Sequence, residues 1–537
     1  MKKFALLLLV VFIMMTLVVS GCVGSDGGKK ASDDVKKTGE SNEKTSIFNP
    51  TGYPIVNEKI TLKVFMTSGE FYGNANEMTY FKKLEELTNI HLEFEHVTQN
   101  SGERVNLLFA SQDYPDIMFR GANDRHILNT AAAGDIIPLT ELINKYAPNW
   151  KKFFEQYSYG KKVATMPDGE IWSLPIVRME DSNAGIRDQW MINVKWLREL
   201  GLEMPKTTDD FYNELKSFKE NAGKGSIPQE VIPWMFMYNA YSNGGQYELY
   251  NAFGAFTPGK PHYISVDENG KVVFSATDPT IKEPIKFLRR LYVEGLIPPE
   301  VFTDDSAAYT SKILSNPPIV GTYLRYFNDD PTEEIYDVMP PLQGPHGGKP
   351  MYRQQTNAVE RNFFTIFTKN PYPEASIRLA DTIGEPDWSV QAMYGMYGEW
   401  MEKDGDRIIQ LPFVGNEAYE NVPGNNVAFL LTPEAVEKIE YSGSQAQRDK
   451  NVKEVYKPYV VPIERFYPPV VWREDQTAAL QDIETDLLEY VNSTIAHWIV
   501  DGGIDEEWDE YVRKVESLKL DDLIEIYQEA LDVFNSN

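Results

Sequence analysis

The sequence predicts an α/β protein built as two lobes, and three observations carry that prediction. Strand-like and helix-like periods alternate along the chain, which is the mark of βαβ units laid on parallel sheets. At 537 residues the chain is longer than one hydrophobic core comfortably organises, so it divides into at least two domains. The only cysteine is Cys22, so no internal disulfide can form and packed cores alone must hold the fold.

The elements follow in order. Lys59 to Met66 (KITLKVFM) alternates as a strand, and Met78 to Thr88 has helical spacing. His91 to Val97 alternates again, Arg104 to Ala110 reads as a short helix, and Asp116 to Phe119 as a third strand. After the Asp168-Gly169 turn comes Glu170 to Ile176 (EIWSLPI), a fourth. Helices are expected at 193–200, 207–221, 279–294, 373–384, 433–440, 474–498 and 507–534. Two begin with capping chemistry, at Thr207-Thr208-Asp209-Asp210 and Thr277-Asp278-Pro279. Pro-Pro pairs at 298–299, 317–318, 340–341 and 468–469 mark junctions. No repeat of 20–50 residues is visible. This order fits lobes in which the chain crosses more than once: 55–182 with 350–430, and 183–349 with 431–537.

The N-terminus reads as an export signal over residues 1–21. Lys2 and Lys3 precede an apolar run from Phe4 to Val19 broken only by Thr16, and about 16 apolar residues are short for a bilayer span. Val19-Ser20-Gly21-Cys22 resembles the lipobox of bacterial lipoproteins. That resemblance implies cleavage before Cys22, a diacylglycerol on its sulfur, and anchorage at the extracytoplasmic face of the cell membrane. Residues 23–46 are almost wholly polar, so the lipidated cysteine and a flexible tether are expected over 22–54, with globular structure from Ile55. The net charge of −28 argues against a nucleic-acid partner and against flat binding to anionic lipid, which leaves membrane attachment to Cys22.

The familiar catalytic signatures are missing: no His-Glu-x-x-His, no Gly-x-Ser-x-Gly, no Gly-x4-Gly-Lys-Ser/Thr. His91 and His96 fall on opposite faces of one strand and cannot share a metal. With 80 acidic residues, carboxylates close in sequence carry little information about a glycosidase pair. The expectation is a protein that is not an enzyme, with no metal and no cofactor.

Seven stretches then point one way: Ala110-Ser111-Gln112-Asp113-Tyr114-Pro115-Asp116-Ile117, Gly134-Asp135-Ile136-Ile137-Pro138-Leu139, Asp168-Gly169-Glu170-Ile171-Trp172-Ser173-Leu174-Pro175, Trp196-Leu197-Arg198-Glu199-Leu200-Gly201-Leu202 with Pro205-Lys206-Thr207, Leu291-Tyr292-Val293-Glu294-Gly295-Leu296-Ile297, Pro341-Leu342-Gln343-Gly344-Pro345, and Asn370-Pro371-Tyr372-Pro373-Glu374-Ala375. In this order they resemble the extracellular solute-binding proteins of family 1, the maltose-binding-protein-like receptors of ABC importers for sugars. The resemblance implies a two-lobed periplasmic-binding-protein-like fold of type II, each lobe a mostly parallel sheet flanked by helices, joined by hinge crossovers. It also implies an oligosaccharide ligand, permease subunits of an ABC transporter as partners, and a monomer. Members of the nearest subgroup often carry a calcium loop after the helix ending near residue 220. Here Asn221 to Glu230 keeps only one of its carboxylates, Glu230, so no calcium is expected.

A sugar needs aromatic rings under its C–H faces and polar side chains at its hydroxyl rim, in a concave site beyond the carboxyl ends of strands. Loops that qualify carry Tyr72, then Arg120, Asp124 and Arg125, then Trp234 and Tyr238, then Tyr323 and Arg325. Trp190, Glu399, Trp400 and Trp472 are further candidates. Asp124 stands where resembling receptors place an Asp, whereas Arg120 stands in their aromatic position, which weakens stacking and favours an anionic or heavily hydroxylated sugar. Trp172 and Trp196 read as core. The rival expectations are an extracellular glycan-degrading enzyme and a non-catalytic adhesion or assembly lipoprotein.

Overall fold

A computed structural model describes residues 47–179, 185–260, 262–328, 330, 332, 334–412 and 417–536. The signal, Cys22 and the tether up to residue 46 lie outside the described residues. Strands β1 (Ile60–Thr67), β2 (Ile90–Val97), β3 (Ile117–Met118) and β4 (Leu174–Arg178) are followed by β5 (Gln189–Asn193), β6 (Ile232–Trp234), β7 (Ile264–Val266) and β8 (Val272–Phe274). Then come β9 (Val320–Arg325), β10 (Tyr336–Val338), β11 (Val359–Ile366), β12 (Met401–Asp404), β13 (Arg407–Gln410), β14 (Leu430–Leu431) and β15 (Ile439–Glu440).

Two sheets organise the molecule. The first has the order β14-β4-β11-β3-β1-β2 and the second β10-β5-β9-β6. In β1, Leu62, Val64 and Met66 face the main core while Phe65 joins a second cluster with Val105, Leu108 and Ile127. A strand buried on both faces is the signature of a sheet covered by helices on each side. Each sheet is mixed, and each contains one reversed strand: β11 runs antiparallel to β3 and β4, and β5 runs antiparallel to β9 and β10. These are the first strands after the chain passes from one sheet to the other. A chain leaving at the carboxyl ends of one sheet enters the next from the facing side, so its first strand there must run away from the cleft. The carboxyl ends of the other strands, and the amino ends of β5 and β11, therefore face one another across the crossovers.

Three details depart from the sequence reading. Globular packing already includes residues ahead of Ile55: Arg378 Nη1 donates to the carbonyls of Asn49 (2.8 Å) and Gly52 (2.9 Å), and Phe48 packs edge-on against Tyr146. The signal in the sequence is the pair Phe48 and Tyr53, aromatic anchors between the polar tether and Ile55, and the Tyr53 hydroxyl bonds Thr382 at 3.0 Å. The helix expected over 507–534 is two, Ile504–Ser517 and Leu520–Ser536, broken where Lys519 takes φ +66°. The stretch 433–440 is one helical turn, Pro433–Val436, followed by β15, which pairs in parallel with β13. A third sheet, β12-β13-β15, thus joins segments on both sides of residue 430. No helix among the described residues is long and apolar enough to cross a membrane.

Candidate functional site

A cavity of about 490 Å³ opens where the two sheets face each other. Its walls come from the positions the topology selects. Arg178 is the last residue of β4, Tyr326 and Phe327 follow β9 directly, and Gln355 and Asn357 immediately precede β11. Met393, Tyr394, Tyr419 and Asn425 complete the first-sheet side, and Gln410 of the third sheet closes it with Ser442 to Gln445, which follow β15 and open the helix Gly443–Asn451. The lining is therefore amides, hydroxyls and aromatic rings. Arg178 is its only charged residue among those described.

Arg178 is held rather than loose. Its guanidinium donates to Asn425 Oδ1 (3.2 Å) and the Asn357 carbonyl (3.1 Å) and pairs with Glu360. A neutralised cation with several N–H groups is a hydroxyl-directed donor more than an attractor of anions. Tyr326 is fixed by Arg448, a fully buried side chain that donates to the carbonyls of Tyr326 (2.5 Å) and Ile186 (2.7 Å) and lies 3.6 Å from the Tyr326 ring centroid. Burial pulls the Arg448 pKa down, yet the two accepted carbonyls and the ring face keep a buried cation solvated by the protein. Arg187 lies over the same ring at 5.5 Å. The result is a rigid aromatic wall at the mouth of the second sheet.

The residues singled out from the sequence fall into three groups. Tyr72 and Arg120 stand one layer behind the cavity. The Tyr72 hydroxyl, its pKa raised by burial, accepts from the Asn425 N–H at 3.4 Å, and its ring meets Tyr419 at 5.2 Å. Arg120 Nη1 donates to Asn426 Oδ1 at 2.8 Å. Both therefore position the 423–426 segment that offers Asn425. Asp124 accepts from Asn362 Nδ2 (2.7 Å) and pairs with Arg361, while Arg125 pairs with Glu474 at 2.6 Å on the surface. Neither touches the cavity.

The second group is core. Trp190 and Trp234 are fully buried and stacked at 5.5 Å, with Phe211 against both rings. Tyr323 is buried edge-on against Tyr336. Their ring faces are covered by neighbours, so in this conformation they present nothing to a sugar. The physical reason is position: Trp190 and Tyr323 lie within β5 and β9, and Trp234, the last residue of β6, packs against Phe211 of the helix Thr208–Glu220. Tyr238 packs on Phe302 with its hydroxyl buried, and Trp472 packs between Tyr467 and Tyr527 of the last helix.

The third group flanks the site without lining it. Arg325 precedes Tyr326 by one residue, and Trp400 lies against Gly395 beside Glu399, near the Gln410 wall. The residues that do line the cavity were missed because most are Asn, Gln, Ser and Tyr, which nothing in composition separates from ordinary loop residues. One signal was available: a cation ending the strand that follows Asp168-Gly169. His91 and His96 are each hydrogen-bonded, to Glu85 and Ser68, on different sides of β2. Among the described residues no group of three or more His, Cys, Asp or Glu is arranged to hold a metal ion. In the 221–230 loop the Lys224 ammonium reaches Asn221 Oδ1 at 3.1 Å.

A sequence model of the bacterial extracellular solute-binding proteins matches residues 72–390. The chain is 32% identical over 507 residues to the fructooligosaccharide ABC transporter substrate-binding protein FusA of Streptococcus pneumoniae, covering 89% of this chain and 91% of that one. It is 28% identical to lipoprotein LipO of Bacillus subtilis over 54% of this chain and 57% of LipO. Among solved structures, the pneumococcal FusA in complex with kestose superposes with a TM-score of 0.73 at 30% identity, over 89% of this chain and all of that one. An HMO-binding, ABC-transporter-associated solute-binding protein of Bifidobacterium longum infantis superposes with a TM-score of 0.77 at 24% identity, over 89% and 99% of the two chains, a likeness of fold.

Proposed function

Because the chain belongs to the bacterial extracellular solute-binding proteins, we propose that its cavity captures a neutral oligosaccharide of the fructooligosaccharide kind for delivery to an ABC importer. The observation that carries this is the lining itself. Amides, hydroxyls and tyrosine rings match the hydroxyl rim and C–H faces of a sugar, and the charge of Arg178 is already spent on Glu360. The relative whose name records fructooligosaccharides is alike over nearly the whole chain, and so is its kestose complex.

Binding here is a hinge problem. Arg178 and Asn425 belong to the first sheet's side and Tyr326 to the second's, so a ligand touching all three stabilises the closed arrangement over an open one. Closure then distinguishes loaded from empty receptor for the permease. We take the lobes to be 55–182 with 350–430 and 183–349 with 431–537, the third sheet straddling the last boundary. The signal and Cys22 support a receptor tethered by lipid at the extracytoplasmic face, acting as a monomer.

The enzyme reading loses its main support at the cavity. Glycoside hydrolysis needs two carboxyl groups flanking the scissile bond, and no Asp or Glu is among the described residues that line it. Calorimetric titration with kestose is the test. Saturable binding without product release is expected; release of monosaccharide, or no heat with kestose and nystose alike, overturns the proposal.

A further inference from the structure

We infer that the binding site continues outside the cavity onto Phe71, which carries the outer sugar units of chains too long to be enclosed. This rests on the oligosaccharide reading and adds to it a determinant of ligand length. The cavity's 490 Å³ is the size of an ordinary small-ligand pocket, so it encloses only a few sugar units. A longer chain must leave the mouth, and its next rings need a surface.

Phe71 is placed to supply one. It is 49% exposed, and no other phenylalanine among the described residues is exposed. It is not a stray side chain on a loose loop. Its ring lies 4.4 Å from that of buried Tyr72, tilted by 31°, and 5.9 Å from that of Tyr419, which lines the cavity. Three rings thus run from the cavity wall to solvent. The loop beneath them is clamped on both sides. Ser68 Oγ bonds His96 Nε2 at 2.7 Å, and the Gly73 N–H donates to the Tyr419 carbonyl at 3.1 Å. A Cβ at Gly73 would stand 2.3 Å from the Glu420 carbonyl oxygen, so only glycine permits this seam between the loop and the turn that bears Tyr419. An apolar ring pre-positioned beside a sugar-type cavity, with part of its surface still in water, gains most by covering the C–H face of a sugar.

The test compares kestose, three units, with fructosyl-nystose, five, by calorimetry on the wild type, Phe71→Ala and Phe71→Trp. Phe71→Ala is expected to weaken the pentasaccharide about five- to tenfold, the worth of one stacked ring, and to leave kestose within about twofold. Phe71→Trp should retain or strengthen pentasaccharide binding, and its loss with Ala cannot then be ascribed to misfolding, since kestose binding reports the folded site. Equal weakening of both sugars, or of neither, overturns the inference while leaving the oligosaccharide reading intact. Failure of the wild type to bind either sugar overturns both.

Discussion

The two sides of this molecule use aromatic rings for opposite ends. In the second sheet, Trp190 and Trp234 pack against each other and against Phe211 of the covering helix Thr208–Glu220, and Tyr323 packs against Tyr336, so all are buried. At the cavity, Tyr326 just past β9, Tyr394 at the end of the helix Pro386–Tyr394 and Tyr419 on the short turn Glu417–Glu420 all contribute to the lining, and Tyr326 and Tyr419 keep part of their surface open. Both sets are rich in the residues a sugar site needs, and they lie within a few positions of each other in sequence: Tyr323 is buried and Tyr326 lines the cavity. What separates them is whether a helix covers the ring: Phe211 of the helix Thr208–Glu220 closes over Trp190 and Trp234, while Tyr326 follows β9 at the cavity. Along β9 the contrast holds at single-residue scale: Tyr323 inside the strand is committed to packing, and Tyr326 just past its carboxyl end is available to a ligand. Residue type alone says nothing about which role a ring plays.

The sharpest way to break this contrast is to truncate one ring from each set. Trp234→Ala removes a fully buried indole packed against Trp190, Phe211 and Phe236, and should cost about 3–5 kcal/mol of folding stability, read by chemical denaturation. Trp234→Phe should cost far less. The Trp234 indole N–H is buried without a hydrogen-bond partner, so its removal forfeits no bond. If Trp234→Ala instead left stability unchanged and abolished sugar binding, the ring would be a ligand platform and the contrast would fall.

Tyr326→Ala is the counterpart. The carbonyl that Arg448 grips survives the substitution, so the fold should lose little, while kestose affinity should fall about 10- to 100-fold, or roughly 1.4–2.8 kcal/mol. Arg178→Met should do similar damage by a different route. It frees Asn425 Oδ1 and the Asn357 carbonyl together, loosening the polar wall as well as removing a donor. Titration calorimetry beside a thermal melt separates the two effects, and a Tyr326→Ala protein that is strongly destabilised but binds normally would contradict the assignment.

The same contrast explains what could be read from the sequence. The fold was legible because the family's motifs are mostly structural devices with local signatures. Gly134 and Gly201 end helices at positive φ, Thr207 and Asp210 form a capping box, and Asp168 closes a turn while accepting from the Trp172 indole. Each works through its own neighbours, so each leaves a trace in a short stretch. The cavity does not. Arg178, Tyr326, Asn357 and Asn425 meet only because two crossovers bring strand ends together, and Ser442 to Gln445 arrives through the two-residue strand β15. Tyr72 and Arg120 stand on loops that reach toward the cavity, yet they contact Asn425 and Asn426 from behind. Nothing in their spacing distinguishes a residue that touches ligand from one that holds its neighbour.

The smallest expected effect concerns pH, and it too divides the regions. Among the described residues the cavity lining contains no Asp, Glu or His, so kestose affinity should be flat from about pH 5 to 8. Stability should not be. Glu214, on the helix Thr208–Glu220 that packs on β6, is buried with Oε2 unpartnered. Burial, reinforced by Asp210 one turn earlier, pushes its pKa from the ordinary 4.5 up to about 8. The native state therefore holds a proton that the unfolded chain releases near pH 4.5. This contribution to stability is complete below about pH 4.5, declines as pH rises, and is lost above about pH 8. Glu214→Gln, which fixes the neutral form, should match the wild type near pH 4. It should exceed the wild type by about 1–2 kcal/mol at pH 9, below the full linkage value because solvent relaxation reduces such shifts. Denaturation midpoints at the two pH values measure the difference. A variant no more stable than wild type at pH 9 would mean that Glu214 ionises in place, with water reaching it through the helix surface. An accompanying change in kestose affinity with pH would place a titrating group inside a cavity whose described lining has none.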